Sequence, residues 1–278
     1  MPPVAVVTGC SPLGIGVEIA RGLAASGFYV LCSSRKIDET RAALAGGATV
    51  EVCPFQVDQT LPRDVQKFVS WLALHPKIKD AGIKALVLNA GLAFKGDTFG
   101  AEEARATLAV NLTGTAAMAR ALLPLVQKSS SVDDTGSTIV FMASRAGKLS
   151  QVAPALQARF SDPTATLESI EALCGEFVAA IEAGEVQSRG WPQSMYGVSK
   201  LAELAYARVL ERELDTLNSN NIAVNSCCPG WCSTPMSSFK GPRTPAQGAE
   251  TPVWLCTRKG QGHSRTGGFW AEMREISW

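Results

Sequence analysis

The sequence predicts a doubly wound α/β fold built as one domain, and three observations predict it. Short, solidly apolar runs alternate with helical patterns along most of the chain. The first such run feeds a glycine-rich turn that opens directly into a helix. The 278 residues carry no repeat and no long low-complexity stretch that would mark a second domain.

The elements follow in order. Val4-Ala5-Val6-Val7 is β-branched and apolar and reads as the first strand. A helix is expected from about Ile15 to Ser26, stopped by Gly27. Strands are expected at 28–32, 49–53, 85–88, 137–142 and 222–226, and helices at 38–45, 62–75, 102–128 and 195–217. Strands without polar alternation belong in a parallel sheet covered on both faces. Residues 150–193 break the rhythm: prolines and glycines surround a helical pattern in which Leu167, Ile170, Leu173, Phe177, Val178 and Ile181 fall mostly on one face. This segment is expected to be a helical insertion that packs on its own domain, before the helix at 195–217.

Composition excludes several classes. Lys plus Arg is 26 against 25 Asp plus Glu, and no basic run occurs, so nucleic acid and membrane surfaces are not expected partners. No run of about 18 uninterrupted apolar residues is present, which argues against a spanning helix. The start, Met1-Pro2-Pro3-Val4, lacks a secretory pattern, so the eight cysteines are expected as reduced thiols in the cytoplasm. His75 and His263 lie far apart, which disfavours a zinc site or a serine–histidine hydrolase.

The turn Gly9-Cys10-Ser11-Pro12-Leu13-Gly14-Ile15-Gly16 lies where strand meets helix. Glycines there let the backbone approach a pyrophosphate, and the helix start offers free N–H groups and a positive dipole end. Ile15-Gly16 stands where a triphosphatase would need Lys and Ser or Thr, which argues against that class. The second strand ends in Ser33-Ser34-Arg35-Lys36 with no acid before Asp38. An acid there would bind the ribose of NAD; Arg35 suits the extra phosphate of NADP.

Tyr196 and Lys200 stand at i and i+4, on one helix face. A free phenol, with a pKa of about 10, exchanges protons poorly at neutral pH, and an ammonium beside it lowers that value. Tyr196 is thus a candidate general acid. Tyr206 is the control, since its i+4 position is Leu210.

The glycine turn, Asn89-Ala90-Gly91 after the fourth strand, Ser144 after the fifth and Tyr196…Lys200 come in the order and spacing of the short-chain dehydrogenase/reductase family, which the chain resembles. The segments 190–200, 227–231 and 247–253, with a C-terminus ending in Trp278, are similar to the NADPH-dependent carbonyl reductases within it. The resemblance implies a Rossmann-type sheet and reduction of ketones, aldehydes or quinones, without a metal. It makes Tyr196 the proton donor and has Lys200 bind the nicotinamide ribose. Ser144 would hydrogen-bond the substrate carbonyl, and Asn111 would hold a water that connects Lys200 to solvent. Gly9, Ser11, Gly14, Ile15 and Gly16 would hold the pyrophosphate side, Arg35 the NADP phosphate and Asp58 the adenine. Asn89, Ala90 and Gly91 would line the adenosine, while Pro229, Gly230 and Thr234 would flank the nicotinamide. Trp231 would lean toward substrate.

The insertion before the Tyr196 helix suggests a monomer. Two alternatives remain open from the sequence: NADP-dependent oxidation of a hydroxysteroid or secondary alcohol by the same residues, and a non-catalytic dinucleotide-sensing scaffold. The turn departs from the family in having four residues between Gly9 and Gly14 rather than three, which could widen it or shift Ser11. It also lacks the basic residue that often helps hold the NADP phosphate. Cys227, Cys228 and Cys232 are expected as small buried packing residues near the substrate mouth.

Overall fold

The computed structural model describes residues 2–47, 49–130, 136–217, 221–258 and 266–278. His263 lies outside them. Eight strands form one sheet in the order β3-β2-β1-β4-β5-β6-β7-β8. These are β1 (Val4–Val7), β2 (Tyr29–Cys32), β3 (Val50–Val52), β4 (Ala85–Leu88), β5 (Ser137–Met142), β6 (Ile222–Cys227), β7 (Phe269–Ala271) and β8 (Arg274–Ile276). All pairings are parallel except the β7–β8 hairpin at the edge. Strand order reverses beside β1, where β2 lies on one side and β4 on the other. In open α/β sheets the crevice at that switch, outside the carboxyl ends of the strands, is where ligands bind.

Alternate residues of each strand feed opposite faces, as the pleat requires. Val4, Val6, Leu86, Leu88, Ile139 and Phe141 enter one core cluster, while Ala5, Val7, Ala85, Val87, Val140 and Met142 enter the other. The second cluster packs α1 (Ile15–Ala25) against α9 (Pro245–Thr257). The first is covered by α3 (Pro62–Leu74), α4 (Ala101–Leu108), α5 (Thr115–Ser130) and α8 (Met195–Thr216). A short α2 (Ile37–Ala43) follows β2.

The six expected strands and five expected helices are present, with ends shifted by one or two residues. The expected helix at 102–128 is three pieces: α4, a π turn at Ala109–Gly114, and α5. Together Ala101–Ser129 form a rod long and apolar enough, by length and composition, to cross a bilayer. Its charged and polar residues interrupt the apolar run, which is why the sequence argues against a spanning helix. Half of its apolar window is buried, and the rod packs on the sheet and α8. In the segment at 150–193 lie α6 (Pro154–Phe160) and α7 (Leu167–Glu182). Thr166 and Ser169 close a capping box at the start of α7. Ile170, Leu173, Phe177 and Val178 are buried against α4 and α8, so the amphipathic stripe packs on its own fold.

Candidate functional site

The glycine turn forms the first wall. Gly9 has φ +70°, and a Cβ there would lie 2.6 Å from the Ala90 Cα; one at Gly16 would lie 2.5 Å from the Asn89 side-chain nitrogen. Both sites therefore demand glycine, for backbone conformation at the first and for space at both. Gly14 is the N-cap of α1 and supplies no side-chain cap, which leaves the first N–H groups of the helix free for an anion. Within the turn Leu13 adopts φ +60° and is 65% exposed. Ser11 stays in the turn: its N–H donates to the Gly9 carbonyl (2.9 Å), and its own carbonyl accepts from Gly14 (3.0 Å).

An open cleft runs from this turn, lined among others by Gly9, Ser11, Arg35, Asp58, Ala90 and Gly91. Ser33 and Ser34 line it too, and their backbone and hydroxyls fasten the turn. Cys10 N donates to the Ser33 carbonyl (2.8 Å), and Thr40 Oγ1 donates to the Cys10 carbonyl (2.7 Å) and lies 2.9 Å from Ser34 Oγ. Arg35 is exposed at the rim, whereas Lys36 pairs with Glu39 at 3.2 Å. Asp58 accepts from the Thr60 N–H (2.9 Å) and hydroxyl (2.7 Å). Burial acts to raise its pKa, but those two bonds and the Arg35 charge outweigh it and hold the carboxyl below its usual range. Asn89 serves a different purpose: its Nδ2 donates to the carbonyls of Thr8 (2.9 Å) and Gly9 (3.1 Å), clamping the β1 and β4 ends together. A glycine cradle, an open helix start and an exposed arginine at the rim fit a phosphorylated dinucleotide.

The second wall is α8. Ser194 caps it by accepting from the Gly197 N–H (3.0 Å). The Lys200 Nζ lies 5.8 Å from the centre of the Tyr196 ring. Ser144, just after β5, accepts from the Ala146 N–H (3.1 Å), and its hydroxyl lies near enough to the Tyr196 phenol to act toward lowering its pKa. It is therefore both a turn cap and a neighbour of the phenol. Gly147 lets this turn lie on α8, since a Cβ there would stand 2.6 Å from the Lys200 carbonyl carbon.

Asn111 completes the set. The π turn widens the helix at this residue, and the freed Val110 carbonyl is met by Gln59 Nε2 (2.8 Å). Asn111 is fully buried. Its Oδ1 accepts from Leu92 N (2.7 Å), and its Nδ2 donates to the Leu92 carbonyl and to Ser199 Oγ, both at 2.9 Å. A Cβ on Gly91 would lie 3.4 Å from Asn111 Oδ1 and 3.6 Å from Lys200 Nζ, so this glycine joins the cleft to both residues.

The electrostatics differ from the sequence expectation. Burial raises the Tyr196 pKa; Lys200 lowers it, as expected, but burial prevails, with Glu203 adding to the rise. Lys200 is itself opposed by burial yet held in its charged form by Glu203 and Tyr196. Glu203 is the residue the sequence reading missed. It accepts from Lys200 Nζ at 2.5 Å, while Nζ also donates to the Met142 carbonyl at 2.8 Å. The i+3 spacing from Lys200 puts it on the same helix face, but spacing alone does not show that the pair is buried.

On the far side, Gly230 (φ +80°) turns the chain after β6, and a Cβ there would meet the Arg243 side chain at 2.6 Å. Pro229 precedes it, half-buried; Thr234 is buried and caps a short 3₁₀ turn. Trp231 is 60% exposed on the same loop, with Met236 and Phe239 also exposed. Cys227, Cys228 and Cys232 are buried, and all eight cysteines are free thiols. Tyr206 is a core residue, edge-on to Phe141. His75 pairs with Glu51 at 3.1 Å beside Tyr29, remote from these residues in the fold.

Comparison with known proteins places this geometry. Residues 3–156 match the short chain dehydrogenase family. The chain is 35% identical to human (Homo sapiens) carbonyl reductase (NADPH) 1 over 99% of its length and 98% of that protein, and 33% identical to the Mus musculus protein of that name over the same shares. Among solved structures, salutaridine reductase from Papaver somniferum superposes with a TM-score of 0.82 at 23% identity, covering 96% of this chain and 99% of that one. Menthone neomenthol reductase from Mentha piperita gives 0.78 at 25% identity, over 97% and 98% of the two chains.

Proposed function

The chain belongs to the short-chain dehydrogenase/reductase family, and on that premise we propose that it reduces the carbonyl group of ketones, aldehydes or quinones with NADPH, using Tyr196 as proton donor. It is an NADPH-dependent oxidoreductase. When bound, NADPH supplies the hydride. The chain's own residues do the rest. Gly9, Ser11 and Gly14–Gly16 receive the pyrophosphate against the start of α1, and Arg35 takes the additional phosphate. Asp58, Ala90 and Gly91 face the adenosine part, with Asn89 holding their loops in register. Pro229, Gly230 and Thr234 shape the nicotinamide end.

Ser144 and Tyr196 polarise the substrate oxygen by hydrogen bonding, and Tyr196 gives it a proton. Lys200 keeps its charge beside the phenol, and Asn111 holds the inner end of a proton path. The observation that carries this reading is the convergence of Ser144, Tyr196 and Lys200 at the carboxyl end of β5, beside the glycine-lined cleft. The exposed Trp231, Met236 and Phe239 offer an apolar wall to the substrate. We place all 278 residues in one catalytic domain that acts as a monomer.

Replacing Tyr196→Phe tests it. With menadione as substrate, turnover should fall by about 100-fold or more, the usual worth of a general acid. NADPH affinity, read by fluorescence titration, should change less than about threefold, since the ring stays in place beside the cofactor and only its hydroxyl is removed. Undiminished turnover would remove the mechanism.

A further inference from the structure

Tyr196, Lys200 and Glu203 stand at i, i+4 and i+7 of α8, within about 60° of one another around its axis. Glu203 is 1% exposed and Lys200 3%. Of the three Nζ protons, one goes to the Met142 carbonyl and one to Glu203 Oε2, which leaves one for the cleft side, where Gly91 stands. The other carboxyl oxygen of Glu203, Oε1, is sealed from solvent with no hydrogen-bond partner among the described residues. A buried, half-satisfied carboxylate is costly, and protonation removes its charge while the lysine contact persists.

We propose that Glu203 is a positioning residue for the reaction, whose carboxyl anchors the Lys200 ammonium on the sheet side and, by gaining or losing its charge, sets how strongly that ammonium acts on the Tyr196 phenol. This rests on the reading of Tyr196 as proton donor. The titratable groups acting on Glu203 are few. Lys200 lies on its own helix with Tyr196 beyond it; β6 brings the Cys227 thiol, which burial keeps protonated; β5 brings the uncharged Met142 carbonyl. The π turn contributes Asn111, which has no charge.

Burial pushes the Glu203 carboxyl up to about 7 against the pull of Lys200. The sign follows. Below that pH the acid is neutral, and the lysine charge favours the phenolate unopposed. Above it the carboxylate offsets the lysine, and Tyr196 retains its proton to higher pH. Because reduction consumes that proton, the acid extends carbonyl reduction into the alkaline range.

The experiment is the pH profile of kcat/KM for menadione reduction in wild type and Glu203→Gln. The alkaline limb should move to lower pH by about half a unit or more in the variant, while Glu203→Asp, which keeps a charge in the site, should fall between the two. A limb that stays in place while kcat drops equally at every pH makes Glu203 merely structural and overturns the proposal. A second readout needs neither turnover nor a folded variant. In wild-type protein the infrared band of a buried protonated carboxyl should be present at about pH 6 and lost by about pH 8. A carboxyl ionised at the lower pH also overturns it. Protein that binds NADPH and shows this band, yet reduces no carbonyl compound, would instead count against the proposed function.

Discussion

Arg35 shows how one side chain can carry a choice of cofactor. It is exposed at the end of β2, while its neighbours are engaged: Lys36 with Glu39, and Asp38 with Arg41. A guanidinium left available at that rim is worth a charge-assisted, bidentate phosphate contact. Arg35→Ala should therefore raise the KM for NADPH by about 10- to 100-fold and leave that for NADH nearly unchanged, as steady-state kinetics with both cofactors will measure. Most of the residues proposed for the site were legible in the sequence because their chemistry is bound to spacing: glycine where the backbone must turn, Tyr and Lys one helical turn apart. Glu203 was not. A Lys-x-x-Glu pair reads as an ordinary surface ion pair on a helix. Only its burial between α8 and the sheet, a tertiary property, turns it into a group that titrates near neutrality.

At the scale of elements, the contact between the turn after β5 and the back of α8 decides whether Ser144 stands beside the proposed acid. That turn lies on the helix backbone at Gly147, which has no room for a methyl. Gly147→Ala should lift the turn and separate Ser144 from Tyr196. We expect a loss of about 1–3 kcal/mol in stability, read by denaturant unfolding, and a larger fall in kcat than in NADPH affinity. The inner strands were visible beforehand, since β1 and β4 are unbroken apolar runs and β5 and β6 each carry an apolar stretch of three or more residues. The β7–β8 hairpin was not, because each strand has three residues and β8 reads Arg-Glu-Ile. Such a strand exists because an edge is there to pair with. Likewise α9 begins at a Thr244–Gln247 capping box but carries Pro252 inside, and its packing against α1 sustains it.

For the whole molecule, α7 covers α4 and part of α8, burying faces that two copies of the chain could otherwise share. Among the large exposed apolar side chains, Phe94 and Phe99 lie between β4 and α4, and Trp231, Met236 and Phe239 lie between β6 and α9. Sedimentation at micromolar concentration should accordingly report a single species of 29.4 kDa, and a concentration-dependent dimer would contradict the monomer assignment. The wide turn in the long rod has a wider meaning. A π turn accommodates one more residue than a regular helix of the same rise, so α4 and α5 each keep their own seat while a spare residue is looped between them. The amide of Asn111 hangs from that spare length. Architecture and chemistry are thus written on different letters of the same helix, and the scaffold could shed the second without surrendering the first.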